Sequence, residues 1–323
     1  MNGTESALEA AGQFQFPGRV VSIEPHGNGH INDTYLVTCG ASGAAIRYIL
    51  QRINRRVFRD PRAVMQNIER VTSYLAAQTA GEPDCARRAL ALIPAKDGCA
   101  WHVDAEGDTW RSYRFVDRAV TYDTAQSTSQ AFQAASAFGH FQQQLASLPA
   151  PRLIETIPDF HDTPKRFAAL RRAIEADACN RAALARPEID FALRHASITG
   201  TLLDANLPER ITHNDTKLNN VLFDEATGEG ICVIDLDTVM PGLALYDFGD
   251  MVRTTTSPAA EDERDLGKVI MQFPMFEALV RGYLSSAGDF LTQSEKQLLG
   301  FSGELITFEI GIRFLTDLLA GDT

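Results

Sequence analysis

The residues best suited to chemistry lie in His213-Asn214-Asp215-Thr216-Lys217-Leu218-Asn219-Asn220, which sets a carboxylate, an ammonium and an amide close together in the chain. Val221 to Asp224 follows as an apolar run, then a Gly-containing turn over Glu225 to Gly230, then a second run ending in Asp235-Leu236-Asp237. Two strand-length apolar runs around such a turn predict a β-hairpin. Antiparallel pairing would set Asn220, just before the first strand, beside Asp235, just after the second. An amide oxygen and a carboxylate at one mouth of a hairpin can share Mg²⁺, a hard ion that takes oxygen ligands. Asp215, five residues before Asn220, can face the same point. Phosphoryl transfer needs these parts: a metal held by oxygens, a carboxylate to orient the attacking hydroxyl, and a cation at the transferred phosphate. The competing reading of Asp215 and Asn220 is a capped turn. Asp237 reads equally as a further metal ligand or as a surface residue.

These residues need a scaffold. Arg19 to Glu24, Thr34 to Thr38 and Ile46 to Ile53 alternate as strands of a small antiparallel sheet. The first turn between them, Gly27-Asn28-Gly29-His30, carries two glycines whose backbone amides could cradle phosphates; His30 either reaches a sugar or phosphate or is a polar turn residue. Asp60-Pro61 starts a helix with Val64, Ile68, Val71 and Leu75 on one face, and a second strand pair is expected over Ala89 to Pro94 and Trp110 to Val116. Beyond Asp117 the pattern is helical. Phe132, Ala135, Phe138, Phe141 and Leu145 form one stripe, a helix begins at Thr163-Pro164, and another covers Gln293 to Ala320 with a break near Gly300 to Gly303. The expectation is a two-lobed α+β fold, with residues 1–117 as a small β-rich lobe, 118–323 as a larger mostly helical one, and a ligand cleft between them.

Composition narrows the partners. The 323 residues are 45% hydrophobic and 22% charged, with 42 acidic against 30 basic side chains and a net charge of -12. No surplus of Lys and Arg is available for a phosphate backbone, so nucleic acid is not an expected partner. No apolar stretch is long enough for a membrane helix, and the first fifteen residues contain Glu5 and Glu9 where a secretory signal would be basic and then apolar. Five scattered cysteines without a C-x-x-C pair read as reduced thiols of a cytoplasmic protein.

The string H-x-D-x-x-x-x-N, followed by a strand pair ending in Asp, resembles the catalytic loop and metal-binding Asp of the protein-kinase-like superfamily, in particular its aminoglycoside phosphotransferase and choline kinase branch. Gly29 to Thr34, Tyr48 to Asn54, Ile157 to Pro164, Asp235 to Asp250 and Gly311 to Asp317 are similar to segments of the N-acetylhexosamine 1-kinases within that branch. The resemblance spans nearly the whole chain. It implies a protein-kinase-like fold and an ATP- and Mg²⁺-dependent kinase acting on a sugar hydroxyl, the anomeric one of an N-acetylhexosamine. The alternatives are another kinase of the branch, acting on choline, homoserine, an aminoglycoside or a different sugar, and a nucleotide-binding pseudokinase.

The resemblance also implies roles. Asp215 would be the catalytic base or orienting carboxylate, Lys217 a γ-phosphate contact, and Asn220 and Asp235 the Mg²⁺ ligands. Gly27 and Gly29 would lie over the phosphates, and Phe115 and Val116, at the hinge after the last strand, would present their backbone to adenine. His30 and Arg313 would meet the sugar; the other reading of Arg313 is a row of ion pairs with Glu309 and Asp317 at i,i+4 spacing. Asp247 and Asp250 are expected to anchor the catalytic loop, and Asp162 to cap a helix. Further residues past Thr323, aromatic ones among them, would close over the sugar. One departure stands out. Kinases carry a Lys on the third strand, paired with a helix Glu, whereas this strand reads Tyr48-Ile49-Leu50-Gln51-Arg52-Ile53. Gln51 and Arg52 point to opposite faces. Either Arg52 supplies the charge with Glu69 as partner, or it is an exposed arginine at the sheet edge.

Overall fold

A computed structural model of the chain describes residues 3–27, 31–41, 44–259 and 263–321. The N-terminal lobe is an antiparallel five-stranded sheet in the order β1-β2-β3-β5-β4: β1 (Arg19–Pro25), β2 (Asp33–Ala41), β3 (Ala44–Arg52), β4 (His102–Val103) and β5 (Thr109–Arg114). The alternation in β2 and β3 sends Tyr35, Val37, Cys39, Tyr48 and Leu50 to one face with Trp110. That face is covered by a helix not anticipated from the sequence, α1 (Gly3–Ala11), through Ala7, Ala10 and Ala11. The opposite face, carrying Ile49, Ile53 and Tyr113, packs on α2 (Pro61–Thr79) and the helical lobe. Asp60 caps α2 by accepting from the Arg62 and Ala63 amides, with Pro61 opening the helix.

The expected strand over Ala89 to Pro94 is not a full strand. A short helix, α3 (Cys85–Arg88), precedes it, and the segment makes an isolated bridge between Leu92 and Tyr113. Pro94 has no amide with which to continue a ladder, so the sheet ends at β4 instead.

After β5 the chain crosses through β6 (Ala119–Val120) into the helical lobe, which holds α4 (Thr128–Leu145), α5 (Thr163–Ala176), α6 (Arg186–Arg194) and α7 (Thr201–Asp204). Short strands β7 (Arg210–Thr212), β8 (Val221–Asp224), β9 (Gly230–Val233) and β10 (Met240–Gly242) follow, then α8 (Ala244–Thr255), α9 (Phe273–Ala287) and α10 (Gln293–Ala320). The lobes share one apolar core running from Val64, Ile68 and Val71 of α2 to Phe138 of α4, Phe248 of α8 and Ile306 of α10. Among the described residues no helix is long and apolar enough to cross a membrane.

Two close helix contacts fix the helical lobe. A Cβ at Gly282 of α9 would lie 2.2 Å from the Phe132 carbonyl oxygen of α4, and one at Gly249 of α8 would lie 2.4 Å from the Ser302 carbonyl of α10. The expected break in the last helix does not occur: α10 is continuous through Gly300 and Gly303. Gly303 is a contact point rather than a breaker, since its Cβ would come within 2.7 Å of Val252 on α8. These glycines let backbones approach, which predicts opposite outcomes for two similar changes. Gly282→Ala should destabilise by about 2 kcal/mol, as overpacking does. Gly300→Ala, with open space around it, should stabilise by up to about 1 kcal/mol through helix propensity. Thermal melts of both variants check this, and shifts of the same sign would refute it.

Candidate active site

The loop from His213 to Asn220, which holds the candidate catalytic residues, is suspended from α8. The Asp247 carboxylate accepts from the backbone amides of His213 (2.9 Å) and Asn214 (2.7 Å) and from the Gln142 side chain (2.6 Å). Tyr283 donates its hydroxyl to Gln142 in turn. One turn on, Asp250 accepts from the Thr216 amide at 2.8 Å, and the Thr216 hydroxyl donates to the Asp247 carbonyl at 2.6 Å. Burial pushes the Asp247 carboxyl up from its usual range, opposed by His213 and the two amides. Asn214 takes a left-handed conformation (φ 65°) and ties its side chain to the Thr238 carbonyl at 2.8 Å, a backbone region in which Asn is tolerated. His213 Nε2 lies 2.8 Å from the Ile234 carbonyl, while its Nδ1 accepts from the Asp215 amide at 3.3 Å. The tautomer with its proton on Nε2 satisfies both. Asp215 is thus turned out of the loop between fixed neighbours.

Around Asp215 stand Lys217, its ammonium 3.5 Å from the carboxylate, and Asn220, whose amide nitrogen donates to the Asp215 carbonyl at 2.8 Å and carboxylate at 3.2 Å. That orientation leaves the Asn220 amide oxygen as its cation-binding atom. The hairpin forms with Val221 opposite Val233, and the Ile234 amide donates to the Asn220 carbonyl at 2.9 Å, which brings Asn220 and Asp235 to the same mouth. Asp235 is held in a left-handed conformation (φ 58°, ψ 60°). Its carboxylate is open to the cleft, yet the surrounding protein withholds solvation, and Asp237 and Asp215 add negative charge. Together they push it up to about 6 against the pull of Arg111 and His213. Among the described residues no three His, Cys, Asp or Glu side chains are clustered to enclose a metal by themselves. The donor set of Asn220 and Asp235 suits Mg²⁺, which takes one or two protein oxygens and completes its shell with water and phosphate.

In the turn after β1, Gly27 has φ 77°, a conformation that favours glycine, while Gly29 and His30 lie outside the described residues. Phe115 follows β5, its amide donating to the Arg47 carbonyl at 3.1 Å and its ring under the Arg47 guanidinium at 4.2 Å; Val116 continues the crossing to the helical lobe. Arg52 does not face the cleft. It lies on the α1 side of the sheet, bonded to Asp33 (2.8 Å from Nε) and Asp108 (3.2 Å), 5.7 Å from the Trp110 ring. Glu69 is exposed on α2 and no ion pair joins it to Arg52 among the described residues. Strand alternation therefore gives the cleft to Gln51 and, on β5, to Arg111. Arg111 is buried, pairs with Asp237, and donates to Gln51 at 2.9 Å. The sequence reading did not single it out. Asn67 is also new: its side chain links α2 to the carbonyls of Val239 (3.1 Å) and Ile154 (2.8 Å).

Near α10, the ion pair of Glu309 with Arg313, the other reading of this row, does not form. Glu309 is buried against His161 Nδ1 (2.8 Å) and the Thr163 hydroxyl (2.5 Å), and His161 Nε2 lies 3.3 Å from the Asn214 carbonyl beside Asp215. Asp162 caps α5 by accepting from the Lys165 amide at 3.0 Å. Arg313 is half-buried with its guanidinium 5.4 Å from the Phe160 ring. No carboxylate lies within ion-pair distance of it among the described residues. Burial and the nearby Arg166 both lower its pKa.

A β-sheet lobe, a helical lobe and a carboxylate-amide-carboxylate set at their junction define a kinase-like small-molecule phosphotransferase. Residues 22–276 match the model of the APH family, described as the phosphotransferase enzyme family, and the chain belongs to that family. Its fold is similar to that of a microcompartment-associated aminopropanol kinase, with a TM-score of 0.59 at 20% identity over 97% of this chain and 89% of that one. It is also similar to spectinomycin phosphotransferase APH(9)-Ia, solved with ADP and spectinomycin, at 0.59 and 12% over 99% and 87%. Choline kinase from Cryptosporidium parvum Iowa II matches at 0.54 and 15% over 93% and 82%.

The raised Asp235 carboxyl has a consequence for the metal-free chain. A carboxyl whose folded pKa exceeds its unfolded value contributes stability below the unfolded pKa and loses it as pH rises through the folded one. Asp235→Asn should therefore melt above the wild type at pH 8 without Mg²⁺, by less than about 1 kcal/mol because water reaches the carboxylate. The difference should vanish below about pH 4, near the ordinary range of an Asp carboxyl. Melting curves across that range test the sign; a variant less stable at pH 8 would contradict it.

Proposed function

We propose that this chain is an ATP- and Mg²⁺-dependent kinase that transfers the γ-phosphate to a sugar hydroxyl, the anomeric hydroxyl of an N-acetylhexosamine. In this reading residues 1–117 bind the nucleotide, residues 118–323 carry the catalytic loop and the acceptor site, and the protein works in the cytoplasm. Asp215 orients and deprotonates the acceptor hydroxyl, and Lys217 meets the transferred phosphate. Asn220 and Asp235 hold Mg²⁺, which neutralises charge on the phosphates when bound. Gly27 and Gly29 lie over the phosphates, and the Phe115-Val116 backbone meets the adenine. His30 and Arg313 contact the sugar.

The observation that carries the choice of acceptor is Arg313. A half-buried guanidinium beside Arg166, with no carboxylate paired to it among the described residues, suits the hydroxyl and carbonyl oxygens of a neutral sugar, which accept hydrogen bonds. It opposes choline or an aminoglycoside, whose positive charge would need a carboxylate there. The sequence likeness to N-acetylhexosamine 1-kinases points the same way.

ADP release should be measured with N-acetylglucosamine, N-acetylgalactosamine, choline, homoserine, aminopropanol and an aminoglycoside. Turnover should require an N-acetylhexosamine, and Asp215→Asn should lower kcat by on the order of 10²-fold or more. Turnover confined to an amino alcohol or aminoglycoside would reject the sugar, and ATP binding without any transfer would favour a pseudokinase. Arg313→Ala should raise KM for the sugar while leaving KM for ATP unchanged, the pattern of a lost ground-state contact.

A further inference from the structure

We propose that Arg111 and Asp237 form the buried positioning pair that sets the metal-binding loop against the nucleotide lobe, the task for which kinases use a strand lysine and a helix glutamate. The inference rests on reading Asp235 as the Mg²⁺ ligand.

The pair joins the two lobes. Arg111 comes from β5 and Asp237 from the short turn Leu236–Thr238, and their side chains are 1% and 3% exposed. Each oxygen of the Asp237 carboxylate is occupied: Oδ1 by Arg111, and Oδ2 by the Asn32 side-chain amide at 2.6 Å. Asn32 is itself fixed, its oxygen accepting from the Asn54 backbone amide at 3.0 Å. Arg111 is fixed through Gln51, which donates onward to the Thr34 hydroxyl at 3.0 Å. One carboxylate of the large lobe is thus held by β5 and by the residue before β2, with Gln51 of β3 and Thr34 of β2 standing behind Arg111. With a donor on each oxygen and the side chain buried at 3% exposure, Asp237 is placed as a tether between the lobes, and this inference takes it as that and not as a second metal ligand.

Asp237 acts through its neighbour. Only Leu236 separates it from Asp235, whose left-handed backbone leaves little freedom to reorient independently. On the far side of the turn, Val239 is held by Asn67 of α2. The loop bearing Asp235 is therefore gripped at Asp237 by the sheet and at Val239 by the helix. A kinase lysine-glutamate pair links strand to helix; here strand and helix each hold the metal loop directly, and the strand cation has moved from β3 to β5. Gln51, at the β3 position opposite Arg111, serves as its hydrogen-bond acceptor.

The test compares Arg111→Met, Asp237→Asn, Arg111→Lys and the double variant Arg111→Met/Asp237→Leu with the wild type, measuring MgATP affinity by calorimetry and melting temperature without ligand. Both single neutral variants should weaken MgATP at least tenfold, and Arg111→Lys should recover part of that loss. The double variant leaves no unpaired buried charge and should regain most of its melting temperature while its MgATP affinity stays at least tenfold weak. Recovery of affinity together with stability in the double variant would reduce the pair to a structural role and overturn the proposal. So would an Asp237→Asn variant that loses MgATP affinity while Arg111→Met keeps it, the pattern of a metal ligand. Wild-type protein that fails to bind MgATP would remove the kinase reading, and this inference with it. Wild-type binding with unchanged variants would sink the inference alone.

Discussion

The candidate active site hangs on a single buried carboxylate. Asp247 accepts two consecutive backbone amides of the loop that carries Asp215 and the side chain of Gln142 on α4. An ionised carboxylate is costly to bury unless its lone pairs are filled, and here the filling is done by the segment that must be positioned. Desolvation and loop geometry therefore act on the same group: burial pushes the Asp247 carboxyl up, and the loop's two amides, by filling its lone pairs, oppose that rise. Asp250, one helical turn along α8, repeats the arrangement with Thr216. Because α8 is clamped to α10 at Gly249 and α4 is clamped to α9 at Gly282, the side chains that hold the loop stand on helices whose spacing is set by close backbone contacts.

Charge at the lobe junction is arranged around the same constraint. Asp215, Asp235 and Asp237 lie close together at one mouth of the cleft, and withheld solvation first, then the charge of the other two acids, raises the Asp235 carboxyl. The three acids have unlike surroundings. Asp215 is met by Lys217 and Asn220, Asp237 is neutralised by Arg111, and Asp235 is left with negative neighbours and open water. In the proposed function a dication would occupy this place, and it would turn an acidic surface into one that accepts an anionic nucleotide. On that reading a strongly acidic chain is compatible with polyphosphate chemistry.

What could be read from sequence and what could not divides by chain distance. The hairpin that brings Asn220 to Asp235 was legible because both strands and the turn lie within one short segment. The caps at Asp60 and Asp162 were legible because a cap and its helix are contiguous. Arg111 was not, because its carboxylate lies far along the chain and Trp110 to Arg114 shows only ordinary alternation. The choice between Gln51 and Arg52 depended on which sheet face meets the cleft, and that was decided by α1, a short alanine-rich helix with little periodic signal. Glu309 looked like a surface partner for Arg313 because a single helix displays i,i+4 spacing but not the His161 that buries against it. Gly300 and Gly303 read as a break because glycine weakens isolated helices, whereas packing against α8 overrides that tendency.

His161 bridges two otherwise separate sets of side chains. One ring nitrogen faces Glu309 on α10 and the other faces the Asn214 carbonyl in the catalytic loop. The transfer machinery is secured from α8 and the hairpin, while Phe160 and Arg313 belong to a different surface, and this imidazole is the hydrogen-bonded joint between them. Such a layout is modular. Substitutions along the loop before α5 and the later turns of α10 can reshape the surface around Phe160 and Arg313 while leaving the loop that carries Asp215 in place.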